Sequence, residues 1–335
     1  MSKVKILDCT LRDGGYVNNW NFGYENICKI ISNLIRANID YIECGFLKVD
    51  KYFQDKTFFN SFSQIETVGV CDKTKTMFCL MINYGEVPIE FIPNSSSDNL
   101  IIRVVFKKDR RLEAIEYSKK LIEKGYKVAL NPMNTIGYST EELLELTKLV
   151  NVLNPFVFTI VDTNGEMKKN DVLSMFYLLD KNLNSKIKLG FHSHNNLKLS
   201  FSNAISLLEQ NTERELIIDS SVLGIGRGAG NLCTEVLSQY LNDYYKGEYH
   251  LFSILELVDE CINPIFKEKP WGASVHYYLS ASNSCHPNYA LFLLDKKEMS
   301  VDVINKILNK IPNDKKSYYD DSLIENLYNI VVKEG

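Results

Sequence analysis

Eight short apolar runs constrain the fold more than any other feature of this chain. They read VKILDC (4–9), IDYIECGF (39–46), TMFCLMI (76–82), LIIRVVF (100–106), KVALN (127–131), FVFTIVD (156–162), KIKLGFH (186–192) and ELIIDSSV (215–222). Nearly continuous apolar character with many β-branched residues marks strands covered on both faces, as in a parallel sheet. Helical patterns fill the gaps. In YENICKIISNLIRAN, residues Ile27, Ile30, Ile31, Leu34 and Ile35 form one apolar face. RLEAIEYSKKLIEKG repeats the pattern and ends at Gly125, expected just past the helix end. STEELLELTKLV opens with a cap at Ser139 or Thr140. Two more helical stretches come after the seventh and eighth runs. Strand–helix alternation repeated eight times predicts an α/β chain folded as a (β/α)8 TIM barrel over residues 1–247. A doubly wound open sheet is the competitor, but it rarely needs eight strands so evenly spaced.

The pattern then changes. LFSILELVDECINPIF reads as a helix, PWGASVHYYLSASNSCHPNYALFLL is aromatic, and two charged helical stretches end the chain. Residues 248–335 are therefore expected to form a mostly helical C-terminal extension, packed on the barrel because no Gly/Ser-rich linker precedes it. Its Tyr277, Tyr278 and His286 are candidates to reach the barrel mouth; aromatic packing is the simpler reading of each.

Composition excludes several classes. A net charge of −4 does not suggest a nucleic-acid surface. No apolar run is long enough to span a membrane, and MSKVKILD leads too quickly into structure for a signal peptide. The eight cysteines (Cys9, Cys28, Cys44, Cys71, Cys79, Cys233, Cys261, Cys285) show neither C-x-x-C nor zinc-finger spacing. Reduced thiols in a cytoplasmic protein are expected.

A barrel of this kind carries its chemistry at the C-terminal ends of the strands. LDCTLRDGG puts Arg12 and Asp13 in the first loop, with Gly14 and Gly15 expected to supply unusual backbone angles. GFHSHNN ends the seventh strand, and residues two apart face one side, so His192 and His194 point together. After the eighth strand, VLGIGRGAGNLCTEVL alternates glycines up to Asn231, expected to open a helix and offer a carbonyl oxygen to a metal. A dinucleotide-binding reading of these glycines fails, because no parallel strand comes after them. Glu43, Arg103, Asp162 and Arg227 complete a polar mouth, with Glu43 placed at the end of the second strand. Asp13, His192 and His194 form a two-His-one-carboxylate set. Its ligands suit Mn2+ or Mg2+, with Zn2+ or Co2+ as alternatives. Such an ion can polarise a 2-oxo acid, and Arg12 stands ready at the developing oxyanion.

TLRDGG, FHSHNNL and GRGAGN, in this order, resemble the DRE-TIM metallolyase superfamily over about residues 4–245. Within it, the short Gly-Ala-Gly-Asn loop and the H-x-H-x-N-L run are most similar to 4-hydroxy-2-oxovalerate aldolases. The resemblance implies that Asp13, His192 and His194 bind the metal, that Asn231 contacts it, and that Arg12 positions the 2-oxo group. In those aldolases a His stands three residues after the Asp and serves as base; here Tyr16 occupies that place. The loop before Asn231 lacks the catalytic Cys of 3-hydroxy-3-methylglutaryl-CoA lyases, and Gly15-Tyr16 replaces the Glu-Gln of isopropylmalate-type synthases.

The expected activity is a class II, metal-dependent aldolase, a carbon–carbon lyase. It would split a 4-hydroxy-2-oxo acid into pyruvate (or a related 2-oxo acid) and an aldehyde, or run in reverse. Glu43, Arg103, Asp162 and Arg227 would bind substrate. An acyl-CoA-dependent condensing enzyme and a non-catalytic metal-binding barrel are the alternatives. The resemblance further implies a homodimer and an aldehyde dehydrogenase partner.

Overall fold

The computed structural model describes residues 4–69, 75–296 and 299–334. Eight parallel strands organise it: β1 Val4–Asp8, β2 Tyr41–Leu47, β3 Met77–Asn83, β4 Leu100–Phe106, β5 Lys127–Pro132, β6 Val157–Asp162, β7 Lys188–Ser193 and β8 Leu216–Ser220. Each pairs with the next, and β8 pairs with β1 along its whole length (Val4 with Leu216 through Asp8 with Ser220). The sheet is closed. All eight apolar runs are strands, with ends displaced by a residue or two.

The period of two decides what fills the barrel. Leu7, Tyr41, Cys79, Ile101, Ala129, Val157 and Ile217 meet in one inner apolar cluster. Two residues further along the same strands stand Glu43, Met81, Arg103, Asn131, Thr159 and Asp219. The interior is thus an apolar floor that turns polar toward the C-terminal strand ends. The opposite strand faces (Ile6, Ile42, Leu80, Ile102, Val128, Phe158, Leu189, Ile218) join the larger core beneath the helices.

Long helices succeed six strands: Tyr24–Arg36, Arg111–Glu123, Thr140–Leu153, Lys169–Asn182, Ser200–Leu208 and Thr234–Tyr245. Ser139 is the cap of Thr140–Leu153. Its hydroxyl accepts from Glu142 N while Glu142 accepts from Ser139 N, a reciprocal capping box. Gly125, at φ +89°, ends Arg111–Glu123 as expected.

The second and third units correct the expectation of eight alike repeats. Among the described residues, β2 is succeeded by a two-residue strand, Phe58–Phe59, and a one-turn helix, Ser63–Glu66. A single 3-10 turn, Ile89–Phe91, comes after β3. Pro88 and Pro93 bracket that turn, and each removes a backbone donor that a longer helix would use. In the second unit Phe59, Phe62, Ile65 and Val68 are buried and cover the barrel in place of a long helix.

Beyond Tyr245 the chain is helical. Leu251–Leu257 runs through a π turn at Val258–Ile262 into Asn263–Glu268. Ile254, Leu257, Cys261 and Ile262 join the barrel's outer core, and Trp271 Nε1 donates to Leu223 O at 3.1 Å. Helices Val275–Ser282, Pro287–Leu294, Val301–Asn309 and Asp321–Glu334 share a second apolar cluster around Tyr289, Leu293, Ile304 and Ile307. Seven cysteines are free thiols, five of them buried; Cys71 lies outside the described residues. No helix among the described residues is long and apolar enough to cross a membrane.

Candidate metal centre at the barrel mouth

Asp8 ends β1 and shapes the turn beyond it. Its carboxylate accepts from Thr10 N at 2.9 Å and from Thr234 Oγ1 at 2.6 Å. Burial pushes its pKa up to about 6 against those two bonds. The chain then makes one helical turn, Thr10–Asp13, which carries Arg12 and Asp13, both buried, into the mouth. Gly14 and Gly15 do not supply unusual angles. Gly14 is right-handed helical (φ −61°, ψ −23°) and Gly15 opens the next turn. Space is what they provide. A Cβ on Gly14 would lie 2.3 Å from Thr10 O, and one on Gly15 would lie 2.0 Å from the Trp20 ring. Trp20 packs on Phe46 and Phe58, and its Nε1 donates to Arg12 O at 2.8 Å. The indole pins the turn that presents Arg12.

Buried charges are stable only when paired. Arg12 donates to Glu43 through Nε at 2.6 Å and to Asp13 through a guanidinium NH. Arg103 reaches Glu43 at 3.1 Å and Asp219 at 2.5 Å. Asp219 also bonds His192 Nδ1 at 3.0 Å. One continuous network therefore joins β2, β4, β7 and β8 to the first loop. Burial alone would raise the pKa of Asp13, but Arg12, His194, His192 and Arg227 hold it well below the usual carboxylate range. Burial, with Arg227, His192 and Arg12 nearby, lowers His194 to about 3 despite the attraction of Asp13. His194 is thus a neutral imidazole with a lone pair to offer.

The residues at the mouth fit a divalent cation. One ligand atom each from Asp13, His192 and His194 lie within 4.8 Å of one another, all buried. The His192 Nδ1 contact to Asp219 is the bond that orients a ligating imidazole and frees its Nε2. His194 Nδ1 is buried with no hydrogen-bond partner, as is Asn231 Oδ1. Buried polar atoms left unpaired are costly and uncommon, and a cation would satisfy them.

The loop after β8 closes over this set. Asn231 does not open a helix. It forms an antiparallel bridge with His194, and the helix starts at Thr234. The Asn231 amide donates to Asp13 Oδ2 at 2.7 Å. A Cβ on Gly226 would lie 2.4 Å from that amide and 2.6 Å from Asp13 Oδ2. Gly230, at φ +83°, brings the loop back against Gly224. Asn196 ties the β6, β7 and β8 loops together, accepting from Ala229 N at 2.8 Å and donating to Asn164 O at 2.9 Å.

The mouth holds about 510 Å3 of non-protein space, part of it open solvent. Arg12, Asp13, Tyr16, Arg103, His192, His194 and Arg227 all face it, together with Asn83, Asn131 and Thr163. Glu43 and Asp162 are not on its wall. Glu43 sits inside β2 rather than at its end, fully buried beneath Arg12 and Arg103. Asp162 accepts from Glu166 N at 2.9 Å and Met167 N at 3.2 Å, which fastens the loop after β6. Of the three tail candidates, His286 reaches the site through Arg227, 3.3 Å away. Tyr278 is 54% exposed, and neither it nor Tyr277 lines the cavity. Asp219, Asn196 and Trp20 are absent from the sequence expectations. Asp219 was accessible by parity: it lies two residues beyond the inward-facing Ile217 in an otherwise apolar run.

Residues 3–246 match the HMGL-like family. Among curated proteins, a 4-hydroxy-2-oxovalerate aldolase from Bacillus cereus is 28% identical over 270 residues, 78% of this chain and 76% of that one. Among solved structures, the N-terminal domain of a candidate aldolase from Bacteroides vulgatus superposes with a TM-score of 0.73 at 24% identity, covering 88% of this chain and 97% of that one. The Bacillus subtilis HMG-CoA lyase gives 0.62 at 16% identity, covering 81% and 95%. Both solved structures share the fold of this chain.

Proposed function

The chain belongs to the HMGL-like family, and from that premise we propose that it is a divalent-metal-dependent aldolase acting on a 4-hydroxy-2-oxo acid. It would release or use pyruvate, or a related 2-oxo acid, together with an aldehyde. The observation that carries this reading is the buried Asp13–His192–His194 set, with a ligand nitrogen free on His194 and Arg12 alongside.

Asp13, His192 and His194 would hold the ion, with Asn231 Oδ1 within the same shell of residues. The proposed ion is Mn2+ or Mg2+, which would complete an octahedral shell with substrate or water oxygens; Zn2+ and Co2+, which imidazoles also bind well, are the alternatives. Bound there, such an ion supplies Lewis-acid polarisation of the 2-oxo group. The protein's own residues do the rest. Arg12, fixed by Glu43 and Asp13, presents a guanidinium to the oxygen that becomes negative, with no reorganisation at the moment of reaction. Tyr16, on the cavity wall, is the base in this scheme: in its phenolate form it would take the C4 hydroxyl proton as the C3–C4 bond breaks. The bonding pair becomes the enolate, and a proton at C3 completes pyruvate. Asp13, Glu43 and Asp219 pair with Arg12 and Arg103, and Arg227 stands on the cavity wall with no ion pair among the described residues, so these six side chains together sum to a near-neutral charge. A divalent ion then gives the mouth the positive charge that an enolate carboxylate requires.

Residues 1–247 would form the catalytic domain and 248–335 its extension. A homodimer, a cytoplasmic setting and an aldehyde dehydrogenase that consumes the aldehyde belong to the same reading. The free thiols support the cytoplasmic setting.

Incubation of the Mn2+-loaded protein with pyruvate in D2O, followed by chelation and removal of the ion before proton NMR, tests the core reading. The methyl proton signal is expected to fade with the wild type and to persist with Asp13→Ala. Persistence with metal-loaded wild type would remove pyruvate as the donor.

A further inference from the structure

Arg12 and Arg103 are committed to carboxylates on the protein. Arg227 is not. It rises from the Gly-rich loop after β8 onto the cavity wall, yet it forms no ion pair among the described residues. Its NH2 donates to Thr163 O at 3.3 Å, its guanidinium lies 5.4 Å from the Tyr16 ring, and its Nε is buried without a partner. A half-buried guanidinium with an unmet donor, facing a cavity, is suited to accept an anionic group.

His286 makes the same point independently. Its Nδ1 accepts from Asn288 N at 3.2 Å, where it caps the helix Pro287–Leu294. A neutral ring that accepts at Nδ1 carries its proton on Nε2. That N–H then stands 3.3 Å from Arg227 NH1, also a donor. A neutral imidazole has one acceptor nitrogen, so His286 can serve the Asn288 N–H or the Arg227 N–H but not both. Turning the ring would give up the cap. The backbone is held as well, because His286 N donates to Lys316 O at 2.7 Å and its carbonyl accepts from Ser280 Oγ. An anionic oxygen that accepts from Arg227 resolves the conflict.

The aldolase reading places the 2-oxo acid end of the substrate at Asp13, His192, His194 and Arg12. Arg227 is left for the other end. Resting on that reading, we propose that Arg227, oriented by His286, binds an anionic group on the aldehyde half, so that the substrate is acidic at both ends. In the forward aldol direction pyruvate loses a C3 proton and C3 attacks the aldehyde carbon. The carbonyl pair takes up a proton as the C4 hydroxyl, while the distal anion rests on Arg227. Only proton transfers and one carbon–carbon bond are involved. The anionic group is a carboxylate or a phosphate, since both offer paired oxygens to a guanidinium.

The test measures kcat/KM of the Mn2+-loaded enzyme with pyruvate and each of five aldehydes: glyoxylate, succinic semialdehyde, glyceraldehyde 3-phosphate, acetaldehyde and propanal. An anionic aldehyde is expected to exceed the neutral ones by about 100-fold, and the better of the carboxylate and phosphate arms identifies the group. Arg227→Gln is expected to erase most of that ratio through a raised KM for the anionic aldehyde. Arg227→Lys, which keeps the charge but not the paired donors, should fall between. His286→Gln, which keeps a donor, should retain more of the ratio than His286→Phe. Equal turnover of neutral and anionic aldehydes by the wild type would overturn the proposal and leave the aldolase reading intact. Absence of both turnover and pyruvate deuteration would overturn the two together. The wild-type comparison needs no variant to fold.

Discussion

At the scale of single residues, the site depends on side chains that never meet a ligand. Asp219 is the clearest case, since it holds His192 Nδ1 and Arg103 at once. Its removal leaves an imidazole free to rotate and a guanidinium partly unpaired. Asp219→Asn is therefore expected to weaken metal binding by about 10- to 100-fold, measured by competition with a fluorescent chelator. Gly15→Ala tests the TLRDGG turn in a different way. The added Cβ falls on the Trp20 ring, which also anchors Arg12. A loss of about 1–3 kcal/mol in urea unfolding is expected, and Trp20 fluorescence should shift with it. A variant as stable as the wild type would show that the indole can move aside.

At the scale of elements, the loops after the strands are fixed by buried polar atoms, and one of them is tied to pH. Burial raises Asp162 to about 7, against the bonds from Glu166, Met167 and Gly165 that favour its charged form. A carboxyl whose folded pKa exceeds its unfolded value, near 3.9, binds its proton more tightly when folded. Its contribution is present below the unfolded pKa and is lost as pH rises through the folded one. Relative to the wild type, Asp162→Asn should gain stability between about pH 4 and 7, by up to about 4 kcal/mol. Parallel denaturation series at several pH values measure this; a constant difference would mean that Asp162 is charged in the folded protein. Asp8, raised to about 6, titrates in both proteins and cancels. The strands, the cap at Ser139 and the stop at Gly125 were legible because each rests on local chemistry. That no long helix follows β2 or β3 among the described residues was not, because buried aromatics such as Phe59 and Phe62 can cover a barrel without one.

At the scale of the whole molecule, metal, barrel and extension are linked. A ligand that binds only the folded state stabilises it by mass action, about 2.7 kcal/mol at a hundredfold excess over Kd. Calorimetry with Mn2+ and with a chelator should therefore show a rise in Tm of several degrees, absent in Asp13→Ala. The eight strands, the closed parallel barrel and the placing of His192 beside His194 could be read directly from the amino-acid order. Those features arise from periodicity and from residues close along the chain. Tertiary structure alone decided that Asp219 supports His192, that Asn231 holds Asp13 from 218 positions away, and that His286 of the extension meets Arg227. It also decided that Arg12 and Arg103 are neutralised from within while Arg227 is not. Burial and charge pairing depend on which distant residues the closed barrel brings together, and no local pattern encodes that.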